Sequence, residues 1–174
     1  MQLKTKRLLL RPIHITDVDR FYAYRSDVLT NQYQGWIPKN KKEANDFIAK
    51  TASIINQSGT WFQLVLMEKE SNTLIGDVGI HFIDYRQVEL GCTLDKKHQG
   101  KGYATEALRK VIDYLFNDLK KHRITTSIDP ANASSIQLVE RLDFRKEAYF
   151  VESLYLNGQW CDDVVYALLK REWK

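Results

Sequence analysis

The stretch His98-Gln99-Gly100-Lys101-Gly102-Tyr103-Ala104-Thr105-Glu106 sits between two contrasting patterns. Before it, Val88 to Leu94 alternates like a strand. After it, Tyr103 to Leu119 places Ala104, Ala107, Leu108, Val111, Ile112, Leu115 and Leu119 on one helical face. A strand, a glycine-containing loop and a helix N-terminus together make an anion site. The first N–H groups of a helix lack internal partners, and the macrodipole puts partial positive charge there. Gly100 and Gly102 let the backbone approach phosphate oxygens with no Cβ in the way. Lys96, Lys97 and Lys101 add positive charge nearby. This chemistry fits a pyrophosphate.

Spacing narrows which pyrophosphate. A Walker P-loop needs Gly ahead of the Gly-Lys pair and Ser or Thr after it, where this chain has Asp95 and Gly102. A dinucleotide fingerprint starting at Gly100 needs Gly or Ala where Thr105 stands. Its distal acid is missing too, because that region reads Lys120-Lys121-His122. Gln-x-x-Gly-x-Ala, Gln99 to Ala104, remains.

A second group lies downstream. Asp129-Pro130-Ala131-Asn132-Ala133-Ser134-Ser135 precedes a short helix ending in Glu140-Arg141-Leu142-Asp143-Phe144. Asn132 is a preferred N-cap, with Ser134 and Ser135 in the first turn; capping alone accounts for these residues.

Strand alternation supplies carboxylates. Glu89, Gly91 and Thr93 share one face of their strand, and Asp77, Gly79 and His81 share a face of the strand before. An ordinary hairpin brings Glu89 near Asp77 or His81. Glu89 is the first choice as general base; a solvated polar sheet face accounts for the same pattern. Tyr33, Gln34, Trp36 and Tyr155, with Asp77 and His81, are candidates for an acceptor pocket.

Gln99 to Ala104, after a strand and opening a helix, resembles the coenzyme A pyrophosphate loop of the GCN5-related N-acetyltransferase (GNAT) superfamily, and the order of elements matches that family from end to end. Asn-x-x-Ser with the Glu140 to Phe144 ending is similar to the ribosomal-protein N-acetyltransferase (RimJ/RimL-like) branch, as are Leu154-Tyr155-Leu156-Asn157-Gly158 and the closing strand. The resemblance implies acetyl-CoA as cosubstrate, held by Cys92, Thr93, Leu94, Gln99, Gly100, Lys101, Gly102, Tyr103, Ala104 and Thr105. It implies that Asn132 contacts the pantetheine arm and that Ser135, also at the cofactor, protonates the departing thiolate. A backbone N–H of Cys92 to Leu94 would stabilise the oxyanion. Asp143 replaces the usual glycine, and Asp tolerates the left-handed conformation that such a turn needs. The expected reaction acetylates a primary amine by direct attack, foremost a protein N-terminal α-amine. A small-molecule amine acceptor (polyamine or antibiotic) and a non-catalytic acyl-CoA sensor are the alternatives.

These residues need a scaffold. The 174 residues, 44% hydrophobic and 28% charged, suit one soluble domain spanning 1–174. Expected elements are a strand at 7–11, helices from Thr16-Asp17 to Tyr24 and from Asn40 or Lys41 through Ile55, and a loop over 26–38. Three meander strands at 61–68, 74–83 and 88–94 follow, then a helix at 103–119, a strand at 123–128 and a helix at 133–142. A strand from Phe144, a hairpin at Asn157-Gly158 and a last strand near 163–169 close the chain. The predicted class is α/β (α+β): a mixed, mainly antiparallel twisted sheet of about seven strands flanked by about four helices.

Composition bounds the partners. A net charge of +4, with acids and bases interspersed, suits an anionic ligand and argues against nucleic acid. The chain has no apolar run long enough for a membrane-spanning helix and no signal-peptide pattern at its start, so a cytoplasmic monomer or homodimer is expected. Cys92 and Cys161 lack metal-ligand spacing; no metal is expected, and Cys92 reads as a small buried thiol.

Overall fold

A computed structural model describes residues 1–156 and 158–174. Its centre is an eight-stranded sheet in the order β1-β2-β3-β4-β5-β6-β8-β7. The strands are β1 (Leu3–Lys4), β2 (Leu8–Pro12), β3 (Thr60–Glu68), β4 (Thr73–Phe82), β5 (Gln87–Leu94), β6 (Arg123–Ile128), β7 (Arg145–Leu156) and β8 (Gln159–Leu169). The helices are α1 (Val18–Arg25), α2 (Val28–Asn31), α3 (Lys41–Lys50), α4 (Tyr103–Asn117) and α5 (Ala133–Glu140). This is the expected mixed α/β class, with β1 and α2 added to the predicted set.

The sheet separates two apolar layers. Leu64, Val78, Ile80 and Val88 face Leu108, Val111, Ile112 and Leu115 of α4, all buried. Each such side chain contributes on the order of 1.5–3 kcal/mol. On the other face Val65 and Leu74 meet Phe21 and Tyr24 of α1 and Ala44 and Ile48 of α3. The odd–even alternation of β3 thus serves both layers, which is why Thr60–Glu68 reads as nearly continuous apolar sequence.

Local chemistry sets the ends of the helices. Asn40 caps α3 by accepting from the Glu43 N–H (2.9 Å). The helix stops at Lys50, so Ala52 and Ile55 reach the core from the connecting segment instead of from a helical face. Asp17 does not cap α1 through its side chain: its carboxylate takes both guanidinium N–H groups of Arg11 (2.7 Å each) and the His14 N–H (2.8 Å). Inside the expected 26–38 loop, Asp27 caps α2, and the buried Asn31 amide donates to the carbonyls of Tyr24 (2.7 Å) and Asp27 (2.9 Å). At the late hairpin Gly158 has φ +86°, while Asn157 lies outside the described residues.

Two features of β5 prepare the site. Gly76 lets β4 approach it closely, since a Cβ there would lie 2.3 Å from the Thr93 carbonyl oxygen. On its other edge β5 pairs in parallel with β6 only over Gln87–Glu89 against Arg123–Thr125. Beyond Glu89 the two strands diverge, which opens a wedge in the sheet.

Candidate active site

The anion loop forms as the sequence suggests. After the single turn Lys96–His98, Gly100 and Gly102 take φ of +72° and +79°, and α4 begins with no side-chain cap. The backbone N–H groups from Gly100 to Thr105 meet no acceptor among the described residues. Beside Gly100 the space a Cβ would occupy has no atom of a non-adjacent residue within 4 Å among the described residues. An uncapped N-terminus with open donors and an open approach fits a pyrophosphate.

Residues outside the loop clamp it. Glu106 accepts from the Thr5 hydroxyl (2.6 Å), the Arg7 N–H (2.8 Å) and Arg7 Nε (2.6 Å). Arg7 also donates to the Lys101 carbonyl (2.9 Å) and lies over the Tyr103 ring at 4.2 Å. Burial alone would raise the Glu106 pKa, but the Thr5 and Arg7 donors hold it below the usual carboxylate range. Gln99 ties the loop to β5 by donating to the Leu94 carbonyl (3.0 Å).

The wedge exposes backbone donors. The Asp95 N–H donates to the Ile75 carbonyl (2.9 Å), which fixes the alternation along β5. Glu89, Gly91 and Thr93 therefore direct N–H and C=O at β4, whereas Cys92 and Leu94 direct theirs into the wedge. Of the three expected oxyanion donors, Thr93 is thus turned away, and its side chain is buried.

A cleft of about 390 Å³ passes through this wedge. Asn132, Ser135 and Leu138 line it from α5, Cys92 and Glu89 from β5, and Tyr33 and Gln34 from the segment after α2. It therefore connects the two faces of the sheet. Asn132 caps α5, its oxygen accepting from the Ser135 N–H (3.1 Å), so its amide N–H groups stay available. Desolvation, then the Asp77 carboxylate, push the Cys92 thiol up to about 12, so it lines the cleft as a neutral group.

Comparison with protein families matches residues 7–145 to the acetyltransferase (GNAT) domain. The chain belongs to the GNAT acetyltransferase family. It is an acetyl-CoA-dependent N-acetyltransferase. It is 33% identical over 174 residues to an uncharacterized N-acetyltransferase, p20, of Bacillus licheniformis, covering 98% of this chain and 97% of that one. It is 29% identical over 183 residues to the ribosomal protein uS5-alanine N-acetyltransferase of Escherichia coli, covering 99% and 93%. A solved GNAT-family acetyltransferase from Bacillus anthracis superposes with a TM-score of 0.89 at 26% identity, covering 99% of this chain and all of that one.

In this GNAT fold the acceptor side differs from the sequence expectation at several residues. Asp77 is fully buried and closed off: it accepts from the Tyr24 hydroxyl (2.6 Å), Arg25 Nε (3.0 Å) and Nη2 (2.5 Å), and the Gln63 amide. It pairs with Thr93 in the register, so it anchors α1 to the sheet and is not open to an acceptor. Of the two neighbours expected for Glu89, the register gives His81, with Nδ1 3.7 Å from Oε2. Trp36 stacks on Phe47 (4.8 Å) in the α1–α3 layer, away from the cleft. Tyr155 points to the opposite face, exposed and edge-on to Trp160 (5.3 Å).

Its neighbours Leu154 and Leu156 line the cleft, together with Trp61, Asp129 and Asp162. Sequence reasoning missed these five. Strand period two, counted from Tyr155, would have offered the two leucines. Asp129 opens the Asn132 segment and is marked by it, whereas nothing local marks Trp61 or Asp162, whose placement is set by strand register.

Proposed function

We propose that this enzyme, a single domain over 1–174 acting in the cytoplasm, acetylates a protein N-terminal α-amine of the ribosomal-protein type in a ternary complex. The carrying observation is that Glu89, Cys92 and Ser135 line one continuous cleft. Glu89 takes a proton from the acceptor ammonium. The neutral nitrogen then attacks the thioester carbonyl, forming the C–N bond. The Cys92 or Leu94 N–H holds the oxyanion as the C–S bond breaks, and the Ser135 hydroxyl protonates the leaving thiolate. The pyrophosphate rests on the N–H groups of Gly100 to Thr105, and Asn132 donates to the pantetheine arm. Similarity to the uS5-alanine enzyme supports the acceptor class.

Amine chemistry favours the same acceptor. An α-amine has a reference pKa near 8 against about 10.4 for lysine, so near neutral pH it is roughly 100-fold or more richer in the neutral form. One observation favours a second reading, a polyamine: the cleft is lined by Glu89, Asp129 and Asp162 and by no Lys, Arg or His among the described residues. Thiol release from acetyl-CoA, measured with a free N-terminal peptide, an N-blocked lysine peptide and spermidine, separates the two. We expect kcat/KM at least tenfold higher for the free N-terminus. Higher turnover of spermidine would replace the first reading with the second.

A further inference from the structure

We propose that His81 is a positioning residue for Glu89, holding the carboxylate at the cleft and carrying its acquired proton out to solvent. This rests on Glu89 being the general base. His81 and Glu89 are direct partners in the β4–β5 register, and His81 Nδ1 lies 3.7 Å from Glu89 Oε2. The imidazole is stacked flat on Trp61, with centroids 4.8 Å apart and planes within 8°. Trp61 and Glu89 both line the cleft, whereas His81 stands behind them. The stack fixes the ring, and the ring places a charge partner 3.7 Å from one carboxylate oxygen. Both side chains keep access to solvent, at 28% and 33% exposure, so a proton that reaches the ring can leave it.

The remaining charged groups on this sheet face are already paired. Asp77 is held by Arg25, Tyr24 and Gln63, Arg123 of β6 by Glu147 of β7, and Arg145 by Glu147 and Glu172. Asp163 of β8 accepts from Ser127 (2.7 Å). His81 is therefore the one cation-forming side chain set against Glu89 among the described residues. The step balances simply. The acceptor ammonium loses a proton to a Glu89 oxygen, Glu89 passes it to His81 Nδ1 when side-chain motion or one bridging water closes the 3.7 Å gap, and the imidazolium releases a proton to water. Glu89 is a carboxylate again for the next acceptor. This cycle needs a side chain at position 81 that can take up and release a proton, so replacing His81 changes the pH dependence of kcat.

The test is a double-mutant cycle with pH profiles, using His81→Phe, which keeps a stacked ring, with His81→Gln as a second variant. Each is made alone and with Glu89→Gln. We expect His81→Phe to lower kcat by about tenfold, to leave the KM for acetyl-CoA within about twofold, and to change the acid limb of the kcat profile. In the Glu89→Gln background it should cost nothing further. Unchanged acetyl-CoA-induced thermal shifts would show that the variants fold. An acid limb identical with and without His81, or losses that multiply independently of Glu89→Gln, would overturn the inference while leaving Glu89 as base. A Glu89→Gln enzyme with wild-type kcat would instead remove the base assignment, and the inference with it.

Discussion

Gly100→Ala separates the conformational cost of the anion loop from its binding role. At φ +72° an alanine costs about 1–2 kcal/mol, offset by about 0.4–1 kcal/mol because it restricts the unfolded chain. No atom of a non-adjacent residue among the described residues lies within 4 Å of the new Cβ, so steric clash adds nothing in the free enzyme. The net loss of roughly 0.5–1 kcal/mol lowers Tm by about 1–4 °C for a chain of this size. Ligand tells the variants apart. At a hundred times Kd, acetyl-CoA stabilises the wild type by about 2.7 kcal/mol, or about 5–11 °C. The Cβ projects into the space where phosphate oxygens must meet the N–H groups from Gly100 to Thr105. A tenfold loss of affinity at the same acetyl-CoA concentration cuts the stabilisation to about 1.4 kcal/mol and halves the shift. Differential scanning fluorimetry with and without acetyl-CoA reads both quantities. A Gly100→Ala enzyme that keeps the full ligand-induced shift would refute the backbone cradle, whatever its free-state Tm.

Two further perturbations address the scaffold. Asp77→Asn leaves the buried Arg25 guanidinium without its counter-charge and should cost about 3–5 kcal/mol in urea unfolding; a loss below about 1 kcal/mol would show that Asp77 is not the anchor of α1. Acid should weaken the loop clamp: Glu106 is held below its unfolded value of about 4.3, so its contribution is present above that pH and disappears as pH falls through the folded pKa. Glu106→Gln should flatten the fall in Tm between about pH 5 and 3, and an unchanged slope would assign the acid sensitivity to other groups.

The parts of the fold that were legible depend on local rules. Asn40 as a cap, α4 with its apolar face and the Gly100/Gly102 turn each follow from residues adjacent in sequence. Asp143 adopts the left-handed conformation, φ +63°, that its position at the end of α5 demands. The misreadings at the site concern strand register or packing partners outside the motif being read. Alternation put Asp77 and Glu89 on one face, but pairing slid Asp77 to Thr93, where Arg25, fifty-two residues earlier, encloses it. Trp36 was an aromatic in the right loop, yet Phe47 offered it a stacking partner within the α1–α3 layer. Tyr155 has the right strand and the wrong parity.

The acceptor wall is assembled in a way that explains this difficulty. The pyrophosphate cradle belongs to one continuous junction, β5 through α4, in which strand end, loop and helix start are adjacent and read as a motif, and Asn132 and Ser135 join the donor side from a second short motif at the start of α5. The acceptor side draws Tyr33 from the α2 segment, Trp61 from β3, Glu89 from β5, and Leu154 and Asp162 from the β7–β8 hairpin. These meet only because β5 and β6 part after Glu89, leaving a gap that remote segments can reach. Extending the parallel pairing by one more pair would commit wedge-facing groups of β5 to β6 and narrow the opening at Gly91. The short β5–β6 ladder is therefore the structural condition for a cleft open to both faces, and the acceptor wall can change segment by segment without disturbing the donor loop.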